Sequence, residues 1–161
     1  MSLMDWFNAL SKGDEQSAEA ARSKVQTGAI AETAMIDGLD FVAAIEAHRK
    51  WKERLTAYVQ GTSSEKLDYK TICRDDQCAL GKWIHGTGAT ALGELPIFHH
   101  LKAKHAQFHV TASRIVELAQ QADKKSAQAL LGGSEYGKAS IEVQMLLSRL
   151  YGEMQRGRAA T

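Results

Sequence analysis

The sequence predicts an all-α protein: an antiparallel four-helix-type bundle with a short cysteine-bearing helix and an extra N-terminal helix. Three observations support this class. The chain has 161 residues and one proline, and proline is the residue that most strongly interrupts helices. Apolar residues make up 44% and recur every three or four positions, as on one face of a helix. No segment shows a clear strand pattern, and long helices with short links pack as antiparallel bundles.

The domain organisation follows from a change of pattern along the chain. Residues 1–37 are predicted to form an N-terminal amphipathic helix at 4–11 and a linker rich in Ala, Ser and Thr. Residues 38–156 carry the regular helical spacing and are predicted to be the bundle. The last five residues, 157–161, are a predicted polar tail.

The first bundle helix is predicted to begin after Asp37 or Asp40, either of which offers a side-chain acceptor for the first N–H groups. Gly61 and the polar residues after it end the helix. Its apolar stripe has helical spacing and consists of Leu39, Val42, Ile45, His48, Trp51 or Lys52, Leu55, and Tyr58 or Val59.

A connector over 65–75 leads to a short helix over 77–84, for which Asp75 and Asp76 are the predicted N-caps. The glycines that follow, beginning with Gly86, end this helix.

Pro96 suits the first turn of the next long helix, which is predicted to run to about residue 122. Residues 123–131 also look helical, and Ser134 is the predicted cap of the last helix. The apolar residues of that last helix repeat like a heptad seam, and they are Tyr136, Ala139 or Ser140, Val143, Leu147, Leu150 and Met154. Such a seam is more often intramolecular core than dimer interface.

Charge and targeting signals exclude several function classes. The chain has 20 Lys and Arg against 19 Asp and Glu, for a formal charge of +1. This balance gives no electrostatic footprint for nucleic acid or an anionic membrane surface. The N-terminus lacks the pattern of a signal peptide, and no stretch approaches a membrane span. We therefore expect a cytoplasmic protein whose two cysteines are thiols or ligands.

Three of the six histidines occupy apolar stripes. His48 stands where its helix would place Leu or Ile, and a lone core histidine of this kind usually finds a hydrogen-bonding partner within the protein. His105 and His109 are four residues apart, so both project from one helix face, roughly 6 Å apart along the axis. This H-x-x-x-H pattern can offer two imidazoles to one metal ion.

Cys78 lies in the first turn of the predicted short helix, where the helix dipole favours a thiolate. Three neutral imidazoles and one thiolate form a closed set of four ligands that suits tetrahedral zinc, and copper(I) would also accept it. Magnesium and calcium would not, because oxygen ligands are missing. Cys73 is the other thiol that could serve as a ligand, but it is predicted to be a small apolar residue at the edge of the core.

The remaining histidines and two tryptophans have simpler interpretations. His99 and His100 lie off the apolar stripe and are predicted to face solvent. His85 precedes a glycine and is predicted to be a helix C-terminal residue, which the dipole favours. Trp51 and Trp83 are predicted to pack over the site.

Three motifs in order resemble the chemoreceptor zinc-binding domain, a bacterial family. They are Ala44-Ile45-Glu46-Ala47-His48 with Trp51, then Cys78-Ala79-Leu80-Gly81-Lys82-Trp83, then His105-Ala106-Gln107-Phe108-His109. The resemblance extends over most of 38–152. By position it assigns one zinc ion to His48, Cys78, His105 and His109, the same four residues.

The resemblance also implies a role without catalysis. Members of the family are helical bundles, usually homodimeric, that act as cytosolic sensors attached to chemoreceptors or diguanylate cyclases. Their zinc occupancy, or oxidation of the zinc-bound cysteine by oxidants such as hypochlorous acid, regulates the output. This chain has no room for a cyclase or receptor module, so we expect a stand-alone member or a fragment. A stand-alone member would act on a signalling partner in trans.

Three alternatives differ in class. A di-iron oxygen carrier needs core-facing carboxylates, and Glu46 and Glu117 lie off the stripes. A hydrolytic zinc enzyme needs an open coordination position, which four protein ligands would close. The strongest alternative is an adaptor with a purely structural zinc that binds a partner through its C-terminal seam.

Overall fold

The computed structural model describes residues 35–159, with side chains to 157. The predicted N-terminal helix at 4–11 lies outside this range. Within it, helices account for most of the chain, and the predicted all-α class is confirmed.

A small hairpin precedes the bundle. Strand β1 (Met35–Ile36) pairs antiparallel with β2 (Leu39–Asp40). The two turn residues, Asp37 and Gly38, have φ values of 48° and 84°, as the two central residues of a type I′ turn require. The expectation of no strand is wrong at this point, because two-residue strands are too short to show alternation.

The first long helix, α1 (Phe41–Gln60), has the predicted caps. The Asp40 side chain accepts a hydrogen bond from the Ala43 N–H at 2.9 Å, which decides between the two predicted N-caps. Gly61 ends the helix in the left-handed conformation with φ of 79°, where glycine carries no Cβ penalty.

Three short helices follow, namely α2 (Tyr69–Ile72), α3 (Ala79–Ile84) and α4 (Thr87–Leu92). Of these, only α3 was predicted. The supposed connector contains α2 because the Asp68 carboxylate accepts from the N–H groups of Lys70 and Thr71. Residue 86 ends α3 as expected, but α4 begins immediately afterwards.

The remaining helices match the predicted order. They are α5 (Pro96–Gln120), α6 (Lys124–Gly132) and α7 (Ser134–Ala159). Helix α5 packs against α1, α2, α6 and α7 and is thus the centre of the bundle. It runs antiparallel to α7. Lys104 pairs with Glu142 at 2.8 Å, whereas Phe108, later in α5, packs on Tyr136, earlier in α7.

The seam of α7 lies inside the bundle. Its four principal residues are fully buried within a single chain, and they are Tyr136, Val143, Leu147 and Leu150. The interpretation of the seam as intramolecular core is therefore confirmed. Met154 packs at its edge, and the helix continues through the first residues of the predicted tail.

Candidate metal centre

The structure brings the four predicted ligand residues together. One donor atom from each of His48, Cys78, His105 and His109 lies within 4.8 Å of the other three. His48 comes from α1, Cys78 from the start of α3, and the other two from α5. The three histidines are buried and Cys78 is partly buried.

The shortest donor separations match the edges of a small tetrahedron. The Cys78 Sγ is 3.3 Å from His105 Nε2, and that nitrogen is 3.2 Å from His109 Nε2. Zinc bonds of about 2.0–2.1 Å to nitrogen and about 2.3 Å to sulfur give tetrahedral edges of about 3.3–3.6 Å. These two separations already have the size of a zinc centre, and the remaining ones, all within 4.8 Å, close to the same size by a further approach of the side chains.

Backbone carbonyls fix the tautomers of two histidines. His48 Nδ1 lies 2.7 Å from the carbonyl oxygen of Ala44, and His109 Nδ1 lies 2.7 Å from that of Ile72. A carbonyl oxygen only accepts, so both Nδ1 atoms carry the proton and both Nε2 atoms present a lone pair.

The environment of the inward nitrogen of His48 shows whether a metal ion suits the site. His48 Nε2 is buried and has no hydrogen-bond partner among the described residues. A buried polar atom without a partner costs about 1–3 kcal/mol, and a metal bond would satisfy it. Together with the soft thiolate and the imidazoles, this orphaned lone pair fits zinc.

Burial keeps the imidazoles neutral, which is the form that binds metal. It lowers the pKa of His48 to about 4 and that of His105 to about 2. Burial also lowers the pKa of His109, although the Ile72 carbonyl opposes the shift. At neutral pH these nitrogens therefore need not lose a proton before they coordinate.

Cys78 itself caps α3, which corrects the prediction that Asp75 or Asp76 would do so. Its Sγ accepts a hydrogen bond from the Gly81 N–H at 3.2 Å. Burial raises the pKa of the thiol, and the backbone hydrogen bonds from Gly81 and Leu80 oppose that rise. Metal binding must therefore displace this proton, while the N–H groups are already placed to support the thiolate.

Two glycines allow the close approach of chain segments around Cys78. A Cβ on Gly81 would lie 1.6 Å from the Asp75 carbonyl oxygen, and one on Gly88 would lie 2.6 Å from the Trp83 ring. Such distances exclude any side chain without movement of the backbone or the indole. The glycine of the C-x-x-G-x-W motif thus has a packing reason, because it lets the turn before Cys78 fold against α3.

Aromatic side chains form the apolar wall of the site. The Phe108 ring lies 5.1 Å from the His48 ring and 5.6 Å from the His109 ring. Trp51 packs on Phe108 with a centroid separation of 6.5 Å and so forms an outer layer, as predicted. Trp83 packs on Phe41 and Phe98, in the core.

The residues outside the ligand set are placed mostly as predicted. His99 and His100 are exposed, and His85 is the C-cap of α3. Cys73 is the exception, because it is exposed at the end of α2, with its Sγ 3.0 Å from the Lys70 carbonyl oxygen. The edge-of-core prediction for Cys73 is wrong, since the short helix α2 turns this position outward.

Asp75 is the polar residue near the site whose place sequence reasoning missed. Its Oδ2 lies 3.0 Å from His85 Nε2 and 3.8 Å from His105 Nδ1. The sequence indicated only a helix-capping role, because nothing in the spacing shows which way the carboxylate turns.

A helical bundle with three inward imidazoles and one thiolate defines a class of metal-binding domains with closed four-ligand sites. Residues 48–116 match the family model of the chemoreceptor zinc-binding domain, which confirms the resemblance over this segment and includes all four residues. No curated protein and no solved structure matches the chain. Among the described helices, none is long and apolar enough to cross a membrane.

Proposed function

We propose that this protein is a zinc-binding sensory or regulatory domain of bacterial signalling, in a chemotaxis or cyclic-di-GMP type of pathway. His48, Cys78, His105 and His109 would hold the ion. The observation that carries the proposal is the convergence of four donors around one point, with His48 Nε2 buried and without a hydrogen-bond partner in the described part of the chain. The family match supports a zinc-binding signalling domain.

The origin of the ligands supports a switch. Three donors come from α1 and α5, helices of 20 and 25 residues in the bundle core. The fourth comes from the Cys segment, which we define as residues 68–92 and which contains α2, α3 and α4. Bound zinc would supply a cross-link worth on the order of 10 kcal/mol between these parts. Loss of the Cys78 ligand would therefore loosen the Cys segment first.

The stimulus would be either the zinc level or oxidation of Cys78. In the second case the thiolate attacks an electrophilic oxidant such as hydrogen peroxide, an S–O bond forms while the O–O bond breaks, and hydroxide leaves. The resulting sulfenic acid is a weaker ligand than the thiolate. The partial exposure of Cys78, against the full burial of His105, supports access of a small oxidant to the sulfur.

Signal output would require other proteins. We propose a cytoplasmic homodimer that acts in trans on a chemoreceptor or diguanylate cyclase system, without catalysis of its own. The closed ligand set supports a non-catalytic role, because a hydrolytic zinc enzyme keeps one coordination position open for water. The alternative, an adaptor that binds a partner through the α7 seam, has little support, because the four principal seam residues are buried.

Cys78→Ser tests the switch, and Cys73→Ser is the matched control on the exposed thiol. We expect Cys78→Ser to weaken zinc binding at least 100-fold and to speed hydrogen exchange of residues 76–86, while Cys73→Ser behaves as the wild type. Zinc affinity by competition with a chelator and exchange by mass spectrometry measure both. Unchanged affinity and exchange in Cys78→Ser would overturn the proposal.

A further inference from the structure

One histidine of the centre lacks the backbone support that the other two have. His48 and His109 each place Nδ1 against a carbonyl oxygen at 2.7 Å. His105 Nδ1 is buried without a hydrogen-bond partner among the described residues. Yet His105 is the central ligand, since its Nε2 lies beside both Cys78 Sγ and His109 Nε2.

The Asp75 carboxylate faces that unsupported nitrogen. Its Oδ2 lies 3.8 Å from His105 Nδ1, and its side chain is only 23% exposed. Asp75 is not part of the cluster of converging donors, and it approaches the edge of the His105 ring away from Nε2. The geometry is that of an outer carboxylate that supports a ligand, and Asp75 is not placed as a fifth ligand.

Two contacts hold Asp75 in place. His85, the C-cap of α3, brings its Nε2 to 3.0 Å from the same Oδ2. The Asp75 backbone carbonyl lies against Gly81, close enough that a Cβ there would overlap it. Asp75 is therefore held against α3, the helix that Cys78 caps, through both its side chain and its backbone.

We propose that Asp75 is a positioning residue of the metal centre, which accepts a hydrogen bond from His105 Nδ1–H and so directs the Nε2 lone pair at the ion. The inference rests on the proposed zinc site. A separation of 3.8 Å is longer than a direct hydrogen bond, so a small approach of the carboxylate or one bridging water completes the contact. An outer partner of this kind makes the imidazole a stronger ligand.

Asp75→Asn tests the proposal, with Asp76→Asn as its matched control. Both variants remove one negative charge from adjacent positions, but the Asp76 carboxylate contacts Arg74 and Gln77 instead of a ligand. We expect Asp75→Asn to weaken zinc binding about 10–100-fold and Asp76→Asn to change it less than twofold. Equal affinities in the two variants would overturn the proposal.

A second measurement separates positioning from a merely structural role. In wild-type protein loaded with zinc, ¹⁵N-edited NMR should place the His105 proton on Nδ1 and shift it downfield, as a charged acceptor requires. Thermal unfolding of the chelator-treated protein should be the same for Asp75→Asn and wild type. An upfield Nδ1 proton, or a zinc defect that merely follows lower stability of Asp75→Asn, would contradict the proposal even if that variant folds poorly.

The same experiments distinguish this inference from the proposed function. Cobalt substitution of the wild type should give a thiolate-to-metal absorption band and tetrahedral d–d bands, which report the four-ligand site. Absence of these bands would refute the site itself. If the bands are present and Asp75→Asn binds zinc as tightly as Asp76→Asn, only the positioning role fails.

Discussion

The four donors of the candidate metal centre lie on two regions of very different construction. Helices α1 and α5 hold their histidines by apolar packing along 20 and 25 residues. The Cys segment has helices of four, six and six residues, and isolated helices shorter than about 12–15 residues are marginal in water. Its conformation depends instead on caps and close contacts. The difference indicates that the long helices set the backbone positions of three donors, whereas the position of the fourth depends on the packing of the Cys segment.

The largest effect on stability and zinc binding is expected from Gly81→Ala, which disrupts the Cys segment. The added Cβ would overlap the Asp75 carbonyl at 1.6 Å, so the turn before Cys78 must open. We expect a loss of about 3 kcal/mol or more in the unfolding free energy of the zinc-loaded protein, with at least 100-fold weaker zinc binding. Chemical denaturation and chelator competition measure these changes.

Gly137→Ala is the matched control in the long helix α7, where an added Cβ would meet no atom of the described residues within 4 Å. We expect this variant to gain up to about 1 kcal/mol of stability, because alanine favours helix over glycine, and to bind zinc normally. If Gly81→Ala kept wild-type zinc affinity, the Cys segment would adapt freely, and the position of Cys78 would not depend on its close packing.

Acid should destabilise the metal-free protein through the histidines of the long helices. The folded pKa values of His48 and His105 are lowered to about 4 and about 2, whereas the unfolded value is about 6.5. Below pH 6.5 the unfolded chain binds protons that the folded chain does not, so stability falls as pH falls. Between pH 7.5 and 5.5 we expect a loss of about 1.4 kcal/mol for each such histidine.

Urea unfolding of chelator-treated protein at the two pH values measures this loss. Cys78 contributes nothing to it, because burial raises the thiol pKa and the thiol is neutral in both states over this range. Stability that stayed constant down to pH 5.5 would mean that the imidazoles are accessible to protons in the folded protein.

His48→Leu should have the smallest effect on stability and in the opposite direction. It removes the buried Nε2 that has no hydrogen-bond partner within residues 35–157, so we expect the metal-free variant to gain about 1 kcal/mol and to lose tight zinc binding. The loss of unfolding free energy between pH 7.5 and 5.5 should also be smaller by the contribution of one histidine. A variant less stable than wild type without metal would show that His48 stabilises the core.

Most of the fold and the four converging residues could be predicted from the sequence, because both depend on local spacing. Helical periodicity located α1, α5 and α7, and the H-x-x-x-H interval places two imidazoles on one face in any helix. The helices α2 and α4 were missed, since four and six residues are too few for a periodic signal. Cys73 was misjudged for a related reason, because a four-residue helix gives no stripe from which to judge burial.

The sequence by itself determined the long helices, their buried faces and the donor atoms that those faces carry, since spacing and composition act along the chain. Only the tertiary structure decided how the donors meet and what supports them. The carbonyl of Ile72 fixes the tautomer of His109 across 37 positions in the chain, and Asp75 faces His105 across 30. Such contacts depend on the packing of separate segments against one another, which local spacing does not specify.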